Sequence, residues 1–153
     1  MNIRDLVSYA LKTAAGLIGF FMLMKLAGLE QHHELRLFNF VIVLIGTFSL
    51  HRKMFLKDGN HGYFSGFFSG IRMSAMAIVF FMVFLSLYAS IIDPQFIELA
   101  EDSGIWGGKL SLFQTGIAIL FEGLASCIVL SYTSMQYFKP YVMDTADWGQ
   151  ESA

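Results

Sequence analysis

Charged residues are scarce in this chain. Only 14% of its 153 residues are charged and 56% are hydrophobic, whereas a soluble domain uses about a quarter of its residues as charges. The missing polar surface is explained if lipid replaces water around the protein. The net charge of −2, without any basic run interleaved with aromatic residues, excludes a nucleic-acid partner.

Cysteine and catalytic motifs are also lacking. The single cysteine, Cys127, excludes an internal disulfide, a CxxC redox pair and a cysteine-based zinc cluster. The sequence has no G-x-S-x-G elbow, no P-loop, no G-x-G-x-x-G and no pair of carboxylates at one depth. We therefore predict that the protein is not an enzyme and carries no metal or other cofactor.

Long apolar segments are what the chain does contain. A helix needs roughly 20 predominantly apolar residues to cross the hydrocarbon core of a bilayer, and four segments reach that length. They predict an all-α fold, an integral membrane four-helix bundle that forms one domain over residues 1–153. The expected spans are residues 6–29, 35–54, 71–92 and 110–138.

Basic residues predict the orientation, because Lys and Arg accumulate on the cytoplasmic side of a membrane. With the N and C termini both cytoplasmic, seven of the ten lie inside, and residues 139–153 form a short acidic cytoplasmic tail. Residues 57–70, rich in glycine and aromatics, are expected to lie along the inner surface. The seven inner residues are Arg4, Lys12, Arg52, Lys53, Lys57, Arg72 and Lys139; the outer three are Lys25, Arg36 and Lys109.

Glu122 is the residue that most strongly suggests a functional site. It lies 13 residues after Lys109 and 17 before Lys139, so a rise of about 1.5 Å per residue puts it near the middle of the bilayer. A carboxylate there is costly unless it is paired, wetted or protonated. Three interpretations remain open: a protonated group bonded within the bundle, a contact with a partner protein, or a role in moving protons or ions.

The helix face around Glu122 is mostly small and polar, with Thr115 and Ser126 on it. This stripe points into the bundle, toward a partner subunit or toward a water-filled path. Lys12 is the nearest basic candidate, although a contact with Glu122 would require an axial reach of several ångströms.

Small residues mark two expected helix-packing faces. Gly66, Gly70 and Ser74 follow one another at four-residue spacing at the start of the third span, and Gly16 and Gly19 lie on the same face as Lys12. Contact between helices of one bundle and association with another membrane protein both fit this pattern.

The four histidines do not have the spacing of a metal site. His32 and His33 are predicted outside, and His51 and His61 inside, as surface or interfacial side chains. A haem held by His51 and His61 at the inner face is the alternative.

Several short motifs suggest a family. They are His51–Phe55 (HRKMF), the Gly and aromatic connection 59–70, and Asp93-Pro94-Gln95-Phe96. In these the chain resembles a domain-of-unknown-function family of small bacterial inner-membrane proteins with four spans, a basic Gly and aromatic loop after span two and a D-P-x-F motif after span three. The resemblance implies a multi-pass protein of the bacterial inner membrane and is silent on activity.

Two functions are consistent with these features. The first is an accessory or scaffolding subunit of a larger membrane complex, whose partners are the lipid bilayer and other integral membrane proteins or further copies of itself. The second is a proton-linked small transporter or channel in which Glu122 titrates, helped by Lys12.

Overall fold

The computed structural model describes residues 3–28, 35, 37–58, 62–92 and 112–142, without the side chains of 112–116, 118 and 119. These residues form helices and no strand, so the predicted all-α helical bundle is confirmed for this part of the chain. The elements are α1 (Ile3–Leu26), α2 (Leu37–Arg52), a π-helix (Lys53–Asp58), α3 (Tyr63–Ile91), α4 (Leu112–Phe138) and a 3₁₀ turn (Lys139–Tyr141).

Three helices are long and apolar enough to cross a membrane: α1, α2 together with its π-helix, and α3. Their outer surfaces are covered by large apolar side chains, such as Leu23 (65% exposed), Ile45 (60%) and Val83 (54%). Soluble monomers rarely expose apolar surface on this scale. The apolar exterior therefore indicates a membrane protein.

The third helix begins earlier than the sequence predicts. Residues 63–70 were expected in the surface connection 57–70, but they form the first two turns of α3, so that part of the prediction is wrong. The physical reason is packing: Gly66 and Gly70 are buried on the inward side of α3 and bring its backbone close to α2 and α4. Predictions for the first connection (30–34), for residues 93–96 and for the tail beyond Val142 lie outside the described residues.

A glycine ends α1. The N–H of Ala27 donates to the carbonyl of Leu23 at 3.0 Å and that of Gly28 to the carbonyl of Lys25 at 3.1 Å. Gly28 has a φ of 67°, the left-handed conformation that commonly terminates a helix and that glycine adopts without strain. Here α1 stops at Leu26, short of the predicted end of the first span at residue 29.

Neighbouring helices of the bundle include both parallel and antiparallel pairs. Thr13 meets Met73 and Phe21 meets Tyr88, so α1 and α3 run the same way. α4 runs antiparallel to α3 and packs on both α2 and α3, as does α1. Since α1 and α4 share these two neighbours, they lie at opposite corners of the bundle.

The buried hydrophobic core includes the end of the bundle where α2 ends and α3 begins. Three of its side chains, Leu50, Met54 and Phe138, have no exposed surface, and the rings of Phe55 and Phe138 stack with centroids 5.9 Å apart. The other buried members of this core are Leu6, Ala10, Ala14, Met73, Ala77 and Met135.

Candidate functional site

Glu122 lies on the outside of the bundle. Its side chain is exposed, and that of Ser126, one turn further along α4, is half-exposed. The Ser126 hydroxyl donates to the backbone carbonyl of Glu122 at 2.6 Å and not to its carboxyl group. Thr115 shares this face by its position, but its side chain lies outside the described ones.

The same outward face continues along α4. Val129, Thr133 and Gln136 are exposed, and the Thr133 hydroxyl donates to the carbonyl of Val129 at 2.8 Å. We call these five residues, Glu122, Ser126, Val129, Thr133 and Gln136, the outer stripe of α4. The sequence left open whether this polar face points into the bundle, toward a partner or toward a water-filled path. Its described residues do not point into the bundle.

Lys12 and Glu122 are not brought together. Lys12 is exposed on α1, with its Nζ 5.4 Å from the ring centroid of Tyr9, and α1 and α4 occupy opposite corners of the bundle. Although both residues are described, the structure contains no ion pair between them. The contact considered from the sequence is absent for this geometric reason.

The two predicted glycine faces differ. A Cβ added at Gly16 would lie 3.1 Å from Ile42, so this position packs against α2, whereas one added at Gly19 would meet no atom within 4 Å. Gly66 and Gly70 face the interior of the bundle. A Cβ at Gly66 would lie 2.5 Å from Phe55 and 2.8 Å from the sulfur of Met135, so α3 needs glycine to approach its neighbours.

His51 forms the centre of a buried polar cluster that the sequence did not reveal. The residue has no exposed surface, contrary to the surface or interfacial position predicted for it. Its Nδ1 lies 2.7 Å from the Ser134 hydroxyl and its Nε2 lies 3.0 Å from the carbonyl oxygen of Gly66. One imidazole at the end of α2 thus joins α3 and α4.

The partners of His51 fix its tautomer. A carbonyl oxygen only accepts hydrogen bonds, so Nε2 carries a hydrogen and donates it to Gly66. In the neutral ring Nδ1 is then the acceptor, and Ser134 donates to it.

Because both nitrogens are used, the ring has no lone pair available to a haem iron or a metal ion. Within the described residues no group of three metal-ligating side chains occurs, and His61, the other residue of the haem alternative, lies outside them.

Further hydroxyls line the interior beside His51. The Ser131 hydroxyl donates to the carbonyl of Phe67 at 2.8 Å, and a Cβ at Gly70 would collide with that hydroxyl. The hydroxyls of Thr47 and Ser74 lie 2.9 Å apart, linking α2 to α3. The sequence predicted Ser74 only as a small residue of a helix-packing face. The structure shows that it also forms a hydrogen bond between α2 and α3.

The chemistry of the interior cluster is that of a structural network. Ser134 and His51 have the atom types of a nucleophile and its base, but Ser134 is only 2% exposed and His51 is fully buried. The Nε2–H points at a backbone carbonyl, where a carboxylate would stand in a catalytic triad. The imidazole of His51 and the hydroxyls of Ser131 and Ser134 all have hydrogen-bond partners, and these bonds hold three helices at fixed distances.

A sequence signal for this cluster did exist. On α4 the buried residues Cys127, Ser131, Ser134 and Phe138 repeat at intervals of four, three and four, which defines a second small and polar face. On α2, Thr47 and His51 are one turn apart. Glu122, the charged residue of α4, lies on the other, exposed polar face of this helix.

No protein-family model, curated protein or solved structure matches this chain.

Proposed function

We propose that this protein is a non-enzymatic accessory or scaffolding subunit of a larger membrane complex. It would cross the bacterial inner membrane four times with both termini in the cytoplasm. The apolar exterior of α1, α2 and α3 supports the membrane location, and α4 adds 27 residues in which Glu122 is the one charged residue. The resemblance to a bacterial inner-membrane family supports the choice of membrane.

The outer stripe of α4 is the observation that carries the proposal. In a four-span topology Glu122 sits near the middle of the bilayer, where an uncompensated carboxylate is disfavoured by several kcal/mol or becomes protonated (roughly 2.5–3.5 kcal/mol for Asp at a helix centre on insertion scales). The described part of this chain offers it no cation and no interior position. A protein surface that covers the stripe removes this penalty, so the stripe fits a subunit interface.

The interior supports a scaffolding role. The histidine and hydroxyl cluster occupies the space between α2, α3 and α4 with internal hydrogen bonds, in place of a substrate site. A rigid bundle with one polar outer face suits a protein that holds others in position.

Proton-linked transport by Glu122 is the second candidate. Its support is the position of an acidic residue within a predicted span. Because Glu122 faces outward, a path along it would have to be enclosed by several chains. Flux into proteoliposomes tests this: a Glu122→Gln variant that transports as well as the wild type contradicts a proton relay through this residue.

Purification in mild detergent tests the accessory role. The protein should elute as a complex that is larger than a single chain in its detergent micelle. That complex should contain other proteins, or further copies of this chain, at a fixed stoichiometry. Glu122→Lys should weaken that complex, whereas Lys12→Gln, on the opposite corner, should leave it intact. A wild-type chain that runs as a lone monomer in every mild detergent would contradict the proposal.

A further inference from the structure

One face of α1 lies along α2, in the half of the bundle where α1 begins. Asp5 pairs with Lys53 of the π-helix at one end of this face, and Gly16 packs against α2 at the other. Tyr9 and Lys12 fall between these two contacts, since the four positions on α1 are separated by four, three and four residues. We call Tyr9, Lys12 and Lys53 the α1–α2 basic surface.

Lys12 is the cation of this surface that has no counter-ion. Its side chain is exposed, and among the described residues no carboxylate forms an ion pair with it. It lies seven residues, or about 10 Å, further along α1 than Asp5, and therefore inside the predicted first span. A cation at that depth is costly unless it is paired or reaches the head groups, so an anion from outside the described chain would stabilise it.

The donors of this surface lie close enough to bind one anion together. The Nζ of Lys12 is 5.4 Å from the ring centroid of Tyr9, which is three residues nearer the start of α1 and hence nearer to Lys53. Lys53 has three N–H donors and uses one on Asp5. The Tyr9 hydroxyl has no hydrogen bond to another described residue. Two ammonium groups and a phenol can thus donate to the oxygens of one phosphate group.

The surroundings favour a phospholipid over a free anion. A Cβ added at Gly46 would collide with Thr13, so the neighbouring Ile45 lies at the depth of Lys12. Ile45 is 60% exposed and Val41, one turn deeper, is 48% exposed. A ligand whose phosphate reaches Lys12 would place its apolar part against these side chains, as an acyl chain does.

The charge of this half of the bundle is complementary to an anionic lipid. Its described residues include seven basic side chains, the seven predicted on the cytoplasmic side, against two carboxylates, Asp5 and Asp58. The cytoplasmic leaflet of a membrane carries negative lipids, and basic sites between transmembrane helices on that side bind their head groups.

We propose that the α1–α2 basic surface binds an anionic phospholipid, whose phosphate accepts hydrogen bonds from Lys12, Lys53 and Tyr9. This inference rests on the proposed function for the membrane location and for the cytoplasmic position of this end. It adds a lipid partner on a surface remote from the outer stripe of α4.

Native mass spectrometry tests the lipid class. The full-length chain is stripped of lipid in detergent and titrated with phosphatidylglycerol, or with phosphatidylcholine that has the same acyl chains, and the one-lipid adduct is quantified. Phosphatidylglycerol should bind at least about fivefold more tightly, because the choline group cancels the charge of the phosphate. Inorganic phosphate should not displace it, since it has no acyl chain.

A matched pair of variants tests the location. Lys12→Gln should weaken phosphatidylglycerol binding about fivefold, the effect of one cation near the membrane surface. Arg72→Gln is the control: it removes the same charge from an exposed position at the same depth, because Thr13 meets Met73. α3 has no other charged residue, so this variant should bind the lipid within about twofold of the wild type.

Asp5→Asn tests the role of Lys53 in the opposite direction. It removes the carboxylate that competes with phosphate for the Lys53 ammonium, so phosphatidylglycerol should bind about two- to fivefold more tightly. Circular dichroism should show that each variant retains the helix content of the wild type.

Other results overturn the lipid site. Equal binding of the two lipids, equal losses in Lys12→Gln and Arg72→Gln, weaker binding by Asp5→Asn or displacement by inorganic phosphate each contradicts it. If one of these occurs while the chain still purifies with companions, only the lipid site fails and the accessory role stands. If the lipid binds as expected and the chain is a lone monomer in mild detergent, only the accessory role fails.

Discussion

His51 shows how a polar side chain is retained inside an apolar bundle. Both of its nitrogens are bonded, one to a hydroxyl on α4 and one to a backbone carbonyl on α3, and the rings of Phe55 and Phe138 enclose it with centroids 6.1 Å from the imidazole. A buried imidazole without these partners would be strongly destabilising. The residue therefore positions three helices at once.

Removing the imidazole should destabilise the bundle. His51→Ala deletes both hydrogen bonds and leaves a cavity, so the free energy of unfolding in detergent should fall by about 2–4 kcal/mol. His51→Gln, which keeps an N–H donor, should lose less. Unfolding by SDS, followed by circular dichroism, measures the change. Arg52→Ala, an exposed neighbour, is the matched control and should stay within about 0.5 kcal/mol of the wild type; a His51→Ala protein as stable as that control would contradict the structural role.

At the scale of the helices, the close approach of one helix to another depends on particular glycines and not on every small residue. Gly70 lies where α3 meets both Ser131 and His51, whereas the space beside Gly19 is open. The same residue type thus has opposite roles on α3 and α1.

A matched pair of alanine variants separates these roles. Gly70→Ala places a methyl group against a hydroxyl and an imidazole, so the free energy of unfolding should fall by about 1–3 kcal/mol. Gly19→Ala meets nothing and gains helix propensity, so its stability should be unchanged or rise by up to about 1 kcal/mol. Thermal unfolding of both variants in one detergent makes the comparison, and equal losses at the two sites would contradict the packing described here.

The sequence was sufficient to predict that these segments are helices, but it did not show which face of each helix is buried. Runs of apolar residues identified the helical segments because only length and composition are needed for that. The choice between the two faces of α4 depends on its neighbours: Glu122 and Ser134 lie on polar faces of the same helix, but only Ser134 has partners inside. The start of α3 at Tyr63 was missed because its first turns are Gly-rich and gain their stability from contacts with α2 and α4.

At the scale of the whole molecule, an ion pair joins the start of α1 to the π-helix that follows α2. Lys53 Nζ lies 2.7 Å from a carboxyl oxygen of Asp5, with the two side chains 25% and 37% exposed. A partly exposed pair of this kind contributes at most about 1 kcal/mol. The position of the pair is more informative than its energy. It shows that the start of α1 and the π-helix after α2 lie at the same end of the bundle. The predicted topology, which puts both segments on the cytoplasmic side, requires this.

Reporter fusions test the orientation of the whole chain. A fluorescent protein fused after Ala153 should fold and fluoresce, and alkaline phosphatase fused there should be inactive, because the distribution of basic residues predicts that this end lies in the cytoplasm. Phosphatase fused after Gly28, at the end of α1, should be active. The reverse pattern would mean that the protein is inserted the other way round.

The order of synthesis gives the buried imidazole a further consequence. His51 leaves the ribosome before Gly66 and long before Ser134, so α1 and α2 are synthesised while the imidazole has neither of its two partners. A chain that ends before residue 134 lacks the hydroxyl that donates to Nδ1, so at most one of the two hydrogen bonds of the ring can form. Synthesis of α4 is therefore the step that completes the hydrogen bonding of this buried ring.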